Sequence, residues 1–227
     1  MRKSILLLLL LGTAGFAATS RHLGGWAVVT IDDLPDYAVA GQPVKLSFVV
    51  RQHGMTPLLG LHPVVEARSG STNISVKALA VPDSGLPRYA AILDLSHPGE
   101  WTVTIHSGFW GKGEVTLLPL PVVSSRTTPR ALSDAERGRR LFMAKGCFTC
   151  HVNREVTTAE GLKVGPDLTG RRYPPEALAK FLARPDSMQL TQLPRNGPFR
   201  MPVLGLKDRE IASLVAMINT GRQLSDR

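Results

Sequence analysis

Cys147-Phe148-Thr149-Cys150-His151 decides how the second half of this chain is read. C-x-x-C-H is the attachment pattern of a c-type haem. Its two thiols can add to the haem vinyl groups as thioethers. The next imidazole can then turn to the iron, because both anchors fix the porphyrin over it. These are the only two cysteines in 227 residues, so this chain alone cannot build a four-cysteine zinc site. A thioredoxin-like pair would need a strand-to-helix context within a βαβ unit, and none precedes it. The pattern implies one covalent haem, with Cys147, Cys150 and His151 as its holders.

Outward from the motif the pattern is helical. Ser133 and Glu136 form S-x-x-E, a capping box. Leu141, Phe142 and Ala144 follow on one side, and Gly146 stops the helix just before Cys147. Residues 162–175 read as loop, with Gly165-Pro166 and Gly170. A short helix is expected over Glu176–Ala183, opened by Pro174-Pro175. Leu190–Leu204 reads as a proline-rich loop. A last helix is expected over Lys207–Thr220, where Ile211, Leu214, Val215 and Ile218 recur at helical spacing and Gly221 ends the run. Such long loops lack a core of their own, and a buried porphyrin would supply the missing apolar mass. This defines an all-α domain over 133–227.

Upstream, Pro119-Leu120-Pro121 through Pro129 has no periodicity and reads as a proline-rich linker over 120–132. Residues 18–119 read as an all-β domain. Val44, Leu46, Phe48 and Val50 alternate with Lys45, Ser47 and Val49, and Trp101, Val103 and Ile105 alternate with Thr102, Thr104 and His106. Further short runs are Trp26–Ile31, Val64–Arg68, Ile74–Leu79, Tyr89–Leu95 and Glu114–Leu118. About seven short strands divided by Gly, Pro, Asn and Asp suggest an immunoglobulin-like sandwich. With no cysteine pair in this half, an apolar core must join the sheets, and Trp101 is its expected large member. The fold class is therefore multi-domain: an N-terminal all-β sandwich and a C-terminal all-α haem domain.

Met1–Ala17 reads as a secretory signal peptide, with Arg2 and Lys3 before the apolar run Ile5–Leu11 and small residues about Ala17. That run is short for a span of about 20 residues. Left uncleaved, it would serve as an N-terminal anchor. The expected location is periplasmic or otherwise exported. Net charge is +9, and from Arg126 onward 18 Lys and Arg face 10 Asp and Glu. Residues 18–125 are nearly balanced, so the basicity belongs to the haem-bearing half. For an exported protein this favours an acidic protein partner over nucleic acid, because opposite fields raise the encounter rate. Peripheral association with a membrane fits the same charge.

From about Ser133 to Gln223 the chain resembles the class I cytochrome c family. The resemblance rests on Gly138 with Phe142, Cys147-x-x-Cys150-His151, Gly165-Pro166-Asp167-Leu168, Met201-Pro202, and Leu214-x-x-Met217. It implies that the first and last helices cross closely at Gly138 and Leu214. It implies His151 as the proximal iron ligand and a Pro166 carbonyl accepting from the other nitrogen of that ring. All three tryptophans lie in the β half, so Tyr173 or Arg172 would contact a haem propionate. Met201, in a loop before the last helix, is the preferred sixth ligand; Met188 is the next candidate, ahead of Met55, Met143 and Met217. A His/Met pair favours outer-sphere electron transfer. Lys145, Arg154, Lys163, Arg171, Arg172 and Arg200 would ring the exposed haem edge. The β half resembles small immunoglobulin-like domains of the FixH or YtkA type.

His53, His62, His97 and His106, with Met55, offer a copper reading of the β half. The main reading is an exported one-haem electron carrier with no bond-making chemistry of its own, its β half serving to dock partners. The alternatives are a haem subunit of a dehydrogenase or terminal oxidase, and a copper-handling or redox-sensing module led by the β half.

Overall fold

The computed structural model describes residues 25–72, 74–83, 87–110, 113–159, 161–186 and 200–221. The signal segment and Met188 lie outside them. Eleven strands come first: β1 (Ala27–Ile31), β2 (Ala38–Val39), β3 (Pro43–Gln52), β4 (Thr56–Pro57), β5 (Val64–Ser69), β6 (Ser75–Leu79), β7 (Val81–Pro82), β8 (Tyr89–Asp94), β9 (Gly99–His106), β10 (Glu114–Thr116) and β11 (Leu120–Val123). Three helices follow: α1 (Asp134–Ala144), α2 (Pro175–Ala183) and α3 (Asp208–Thr220).

The strands form two sheets, ordered β1-β3-β8-β7 and β2-β11-β9-β5-β6, with β4 added to β3 and β10 to β9. These match the A-B-E-D and G-F-C pairings of an immunoglobulin sandwich. Every pairing is antiparallel except β2 with β11. Between the sheets lie Ile31, Leu46, Phe48, Val50, Leu93, Trp101, Val103 and Ile105, all buried. Trp101 is fully buried, and its indole N–H donates to His97 O at 2.9 Å. Tyr89 is also fully buried; its hydroxyl donates to Leu58 O and accepts from Leu61 N, both at 3.0 Å. Each polar tip is thereby satisfied inside the core.

One local expectation needs correction. Residues 120–123, read as the start of the linker, form β11 against β9 and β2, with Leu120 and Val122 buried. Pro121 masked the apolar alternation around it. At β1, all five residues are buried although the strand lies at a sheet edge. Ala27, Val29 and Ile31 face the sandwich core. Val28 and Thr30 point outward and are covered by the helical half. Thr30 Oγ1 donates to Lys145 O at 3.5 Å, and a Cβ on Gly146 would overlap Val28 Cγ1.

The helical half is built on α1 crossing α3. Ser133 caps α1 in a complete capping box with Glu136. Glu136 also pairs with Arg130, which with the Ser133 bonds holds its carboxyl down at about 2. At the crossing, a Cβ on Gly138 would overlap Ser213 O and Met217 Cβ, so only glycine permits this approach. The expected contact with Leu214 is displaced by one residue to Ser213, while Leu214 is buried beside it. Asn153, buried, donates from Nδ2 to Met217 Sδ at 3.6 Å and accepts from Glu155 N through Oδ1 at 3.1 Å.

The β1–β2 loop carries Asp32, Asp33 and Asp36 onto the helical half. Lys145 donates to Asp32 O at 2.7 Å. Asp33 pairs with Lys207. Asp36 pairs with Arg137 at 2.9 Å and Arg209 at 3.3 Å, and its carbonyl accepts from Arg140. The buried apolar residues of the two halves form one contiguous cluster. Among the described residues, no helix is long and apolar enough to cross a membrane.

Candidate haem-attachment site

The end of α1 sets the site. After Ala144 the chain turns at Gly146, whose φ of 75° lies in the left-handed region that glycine adopts without strain. A single 3₁₀ turn, Cys147–Thr149, follows. Cys150 N and His151 N both donate to Cys147 O, at 3.1 and 2.9 Å. This winds C-x-x-C-H into one tight turn and brings both thiols and the imidazole to one short stretch of chain.

A returning loop fixes His151. Leu162 N donates to Thr149 O, Gly165 N to Cys150 O and Leu168 N to Val152 O, at 2.7 to 2.9 Å. This ladder sets Pro166 O 3.1 Å from His151 Nδ1. A carbonyl can only accept, so Nδ1 carries the proton and Nε2 keeps its lone pair. Burial lowers the pKa of His151, so the imidazole is held in the neutral form that a metal needs. Gly165, which opens the Gly165-Pro166-Asp167-Leu168 motif, is required by this geometry. A Cβ there would lie 2.6 Å from His151 Nδ1.

Cys147 and Cys150 are free and half-buried. Burial pushes the Cys147 thiol up to about 12 and the Cys150 thiol up to about 11. A redox C-x-x-C pair depends on the opposite shift, toward thiolate. The donor set therefore fits a covalent haem: two sulfurs for the vinyl groups and a tautomer-fixed imidazole for the iron. Bound there, a haem supplies an iron that takes up and releases one electron. Phe148, Val156, Leu168, Tyr173 and Met201 pack partly buried against the core around this region.

The other expected residues fall as follows. Met201 lies in the segment Met201–Leu206, which has no helix or strand, and is half-buried. Tyr173 is clamped through its backbone: its N–H donates to Asn219 Oδ1 at 2.8 Å, and its carbonyl accepts from Asn219 Nδ2 at 3.0 Å. Nothing in the sequence pattern marked Asn219 for this. Arg172 donates to Gly221 O at 3.4 Å, at the end of α3. Lys145, expected on the rim of the haem edge, is instead 3% exposed and held by Glu210 at 2.8 Å. Its position beside Gly146 places it under β1, so the rim loses that charge. Arg154 pairs with Asp167 at 2.8 Å.

Three of the four histidines of the β half serve local contacts. His106 meets Glu114 at 2.8 Å and Glu66 at 3.8 Å, His97 meets Ser96, and His53 lies edge-on to Trp26. Among the described residues, no group of three or more His, Cys, Asp or Glu could hold a metal ion.

A C-x-x-C-H turn on a two-helix crossing defines a covalent haem-binding domain. Residues 135–222 match the family model of cytochrome c, and this part of the chain is a cytochrome c domain. No curated protein matches the chain. Among solved structures, domains 4 and 5 of the S-layer protein SbsC are 22% identical, with a TM-score of 0.27 over 42% of this chain and 51% of that one. A superoxide reductase (neelaredoxin) from Ignicoccus hospitalis is 17% identical, with a TM-score of 0.29 over 42% of this chain and 79% of that one. A conjugative transposon lipoprotein from Bacteroides eggerthii is 12% identical, with a TM-score of 0.25 over 41% and 95%. The chain spans about half the length of the SbsC fragment. Overlaps this partial carry nothing further, and the sandwich stands on its own topology.

Proposed function

We propose that the chain is an exported carrier of single electrons, with one haem covalently held by Cys147 and Cys150 and ligated by His151 and Met201. The cytochrome c domain supports a haem-based electron-transfer role, and two cysteines fit a single attachment motif. The observation that carries the reading is the His151 Nδ1 to Pro166 O bond, which leaves Nε2 to the iron. A thioether from Met201 on the other side would raise the reduction potential and close the iron to small ligands. Outer-sphere transfer to an acidic partner, a dehydrogenase or an oxidase, follows from that closed coordination and the basic haem half.

The chain is to be secreted from a host with haem-attachment machinery. Haem stain after denaturing electrophoresis is expected in the parent and absent in the Cys147→Ala, Cys150→Ala double variant. Met201→Ala is expected to remove the weak red-end absorption of a thioether–Fe(III) bond, to lower the potential and to admit cyanide quickly. Stain retained in the double variant would overturn the attachment. The red-end band retained in Met201→Ala would overturn the sixth ligand.

A further inference from the structure

The segment Met201–Leu206 has neither helix nor strand, so its position depends on side-chain contacts. The sandwich supplies them at both ends. At one end, a Cβ placed on Gly54 would lie 3.8 Å from Pro202 Cγ, 3.9 Å from Trp26 Cη2 and 3.5 Å from Val28 Cγ2. Pro202, Trp26 and Val28 therefore gather around one point, at the turn between β3 and β4. Trp26 and Val28 are both buried. At the other end, Lys207 is paired with Asp33 of the β1–β2 loop. The same β1 strand covers Gly146, the residue before Cys147: Val29 O would lie 2.7 Å from a Cβ there. One strand of the β half thus touches the chain just before the attachment motif and, with its neighbour turn, the residue just after Met201.

We propose that the sandwich is a wall of the haem crevice: Trp26 and Val28 hold Pro202 and so position Met201, making the β half part of the sixth-ligand machinery. This rests on Met201 being the sixth ligand. Met201 and Leu206 themselves are only partly buried against the core, so without the wall the segment would lose an anchor that its own apolar side chains do not replace. The ligand loop would then open more often. An exogenous ligand must wait for the open state, so its binding rate reports that population.

The test uses the full, haem-loaded chain. Trp26→Ala and the Trp26→Ala, Val28→Ala pair are compared with the parent, with Trp26→Phe as the conservative variant and Leu93→Ala as a control inside the sandwich core. Cyanide binding to the ferric protein is expected to quicken about tenfold in Trp26→Ala, equivalent to ~1.4 kcal/mol. Hydrogen exchange at the amides of 203–206 should quicken with it. Trp26→Phe should restore most of both. Leu93→Ala should lower the unfolding temperature and leave both unchanged. Exchange and cyanide rates unchanged in the Trp26→Ala, Val28→Ala pair would overturn the wall while leaving Met201 as ligand. An equal effect from Leu93→Ala would overturn it too, by showing general loosening. Persistence of the red-end band in Met201→Ala would instead remove the ligand reading on which the wall's role depends.

Discussion

Lys145 Nζ sits 2.8 Å from Glu210 Oε1 and 2.7 Å from Asp32 O, so one ammonium joins α1, α3 and the β half. Both charged side chains are buried, and Glu210 also accepts from Lys207 N at 3.0 Å, helping to start α3. Breaking a buried pair leaves the other charge without compensation. Lys145→Met is expected to cost about 3–5 kcal/mol, read from denaturant midpoints. Lys145→Met with Glu210→Gln should cost clearly less than the sum of the single changes, since the stranded carboxylate is then neutral. Additive costs would show that the pair contributes nothing as a pair.

Gly138 is the point of closest approach between α1 and α3. Because a Cβ there would overlap the Ser213 carbonyl and Met217 Cβ, Gly138→Ala must push the helices apart. A loss of about 1–3 kcal/mol is expected, the usual cost of overpacking. The same substitution at Gly41, where nothing lies within 4 Å of a new Cβ, meets no such obstacle in space. It still carries the strain of a φ of 74°, so the comparison separates crowding from backbone conformation. A Gly138→Ala protein as stable as the parent would remove the packing account of Gly138.

What the sequence made legible was whatever local chemistry controls. The Ser133–Glu136 box, the stop at Gly146, the Pro174-Pro175 opening of α2 and the alternation in β3 and β9 each rest on a few neighbouring residues, and each is found in place. The turn at Cys147–His151 was legible for the same reason. The interface was not. Nothing local in Ala27–Ile31 says that its outer face is covered, since Val28 and Thr30 suit an exposed strand as well as a buried one. Asp32, Asp33 and Asp36 read as ordinary loop acids until the fold brings five cations of the helical half to them. Lysine is rarely buried unless paired, and the partners that bury Lys145 lie 65 residues downstream and 113 upstream, beyond the reach of any local pattern.

Asp36 gives that interface a pH dependence. A side-chain hydrogen bond from Arg137, opposed by burial and aided by the fields of Arg209 and Arg140, holds its carboxyl below the ordinary 3.8. A depressed folded-state pKa contributes stability above the unfolded value and loses it as pH falls through the folded value. The contact between the halves should therefore hold from neutral pH down to about 4 and weaken below it. The Asp36 side chain is only 29% exposed and that of Arg137 12%, so their coupling in a double-mutant cycle at neutral pH should reach or exceed the upper end of exposed pairs, about 1 kcal/mol. Asp36→Asn should flatten the acid limb of the unfolding curve between pH 4 and pH 2. An acid limb unchanged in Asp36→Asn would assign it to other carboxylates.

The same acidic loop changes what a partner would meet. Arg137 and Arg209 pair with Asp36 and Lys207 with Asp33, while Arg140 and Lys145 donate to the loop carbonyls of Asp36 and Asp32, so part of the basic excess of the haem half is answered internally. Steering of an acidic partner then falls to exposed cations elsewhere, with Arg171 and Arg200 the clearest. Exposed charges act over roughly a Debye length, about 8 Å at physiological ionic strength. Arg171→Glu with Arg200→Glu should slow association with an acidic redox partner several-fold at low salt, leave dissociation nearly unchanged, and converge on the parent as salt rises. Arg209→Glu should chiefly disturb the contact with Asp36, lowering stability more than the association rate. Stopped-flow electron transfer across ionic strength separates the two. A rate flat with salt in the parent would refute steering, and an Arg209→Glu effect on association matching that of Arg171 and Arg200 would place the docking surface across the domain seam.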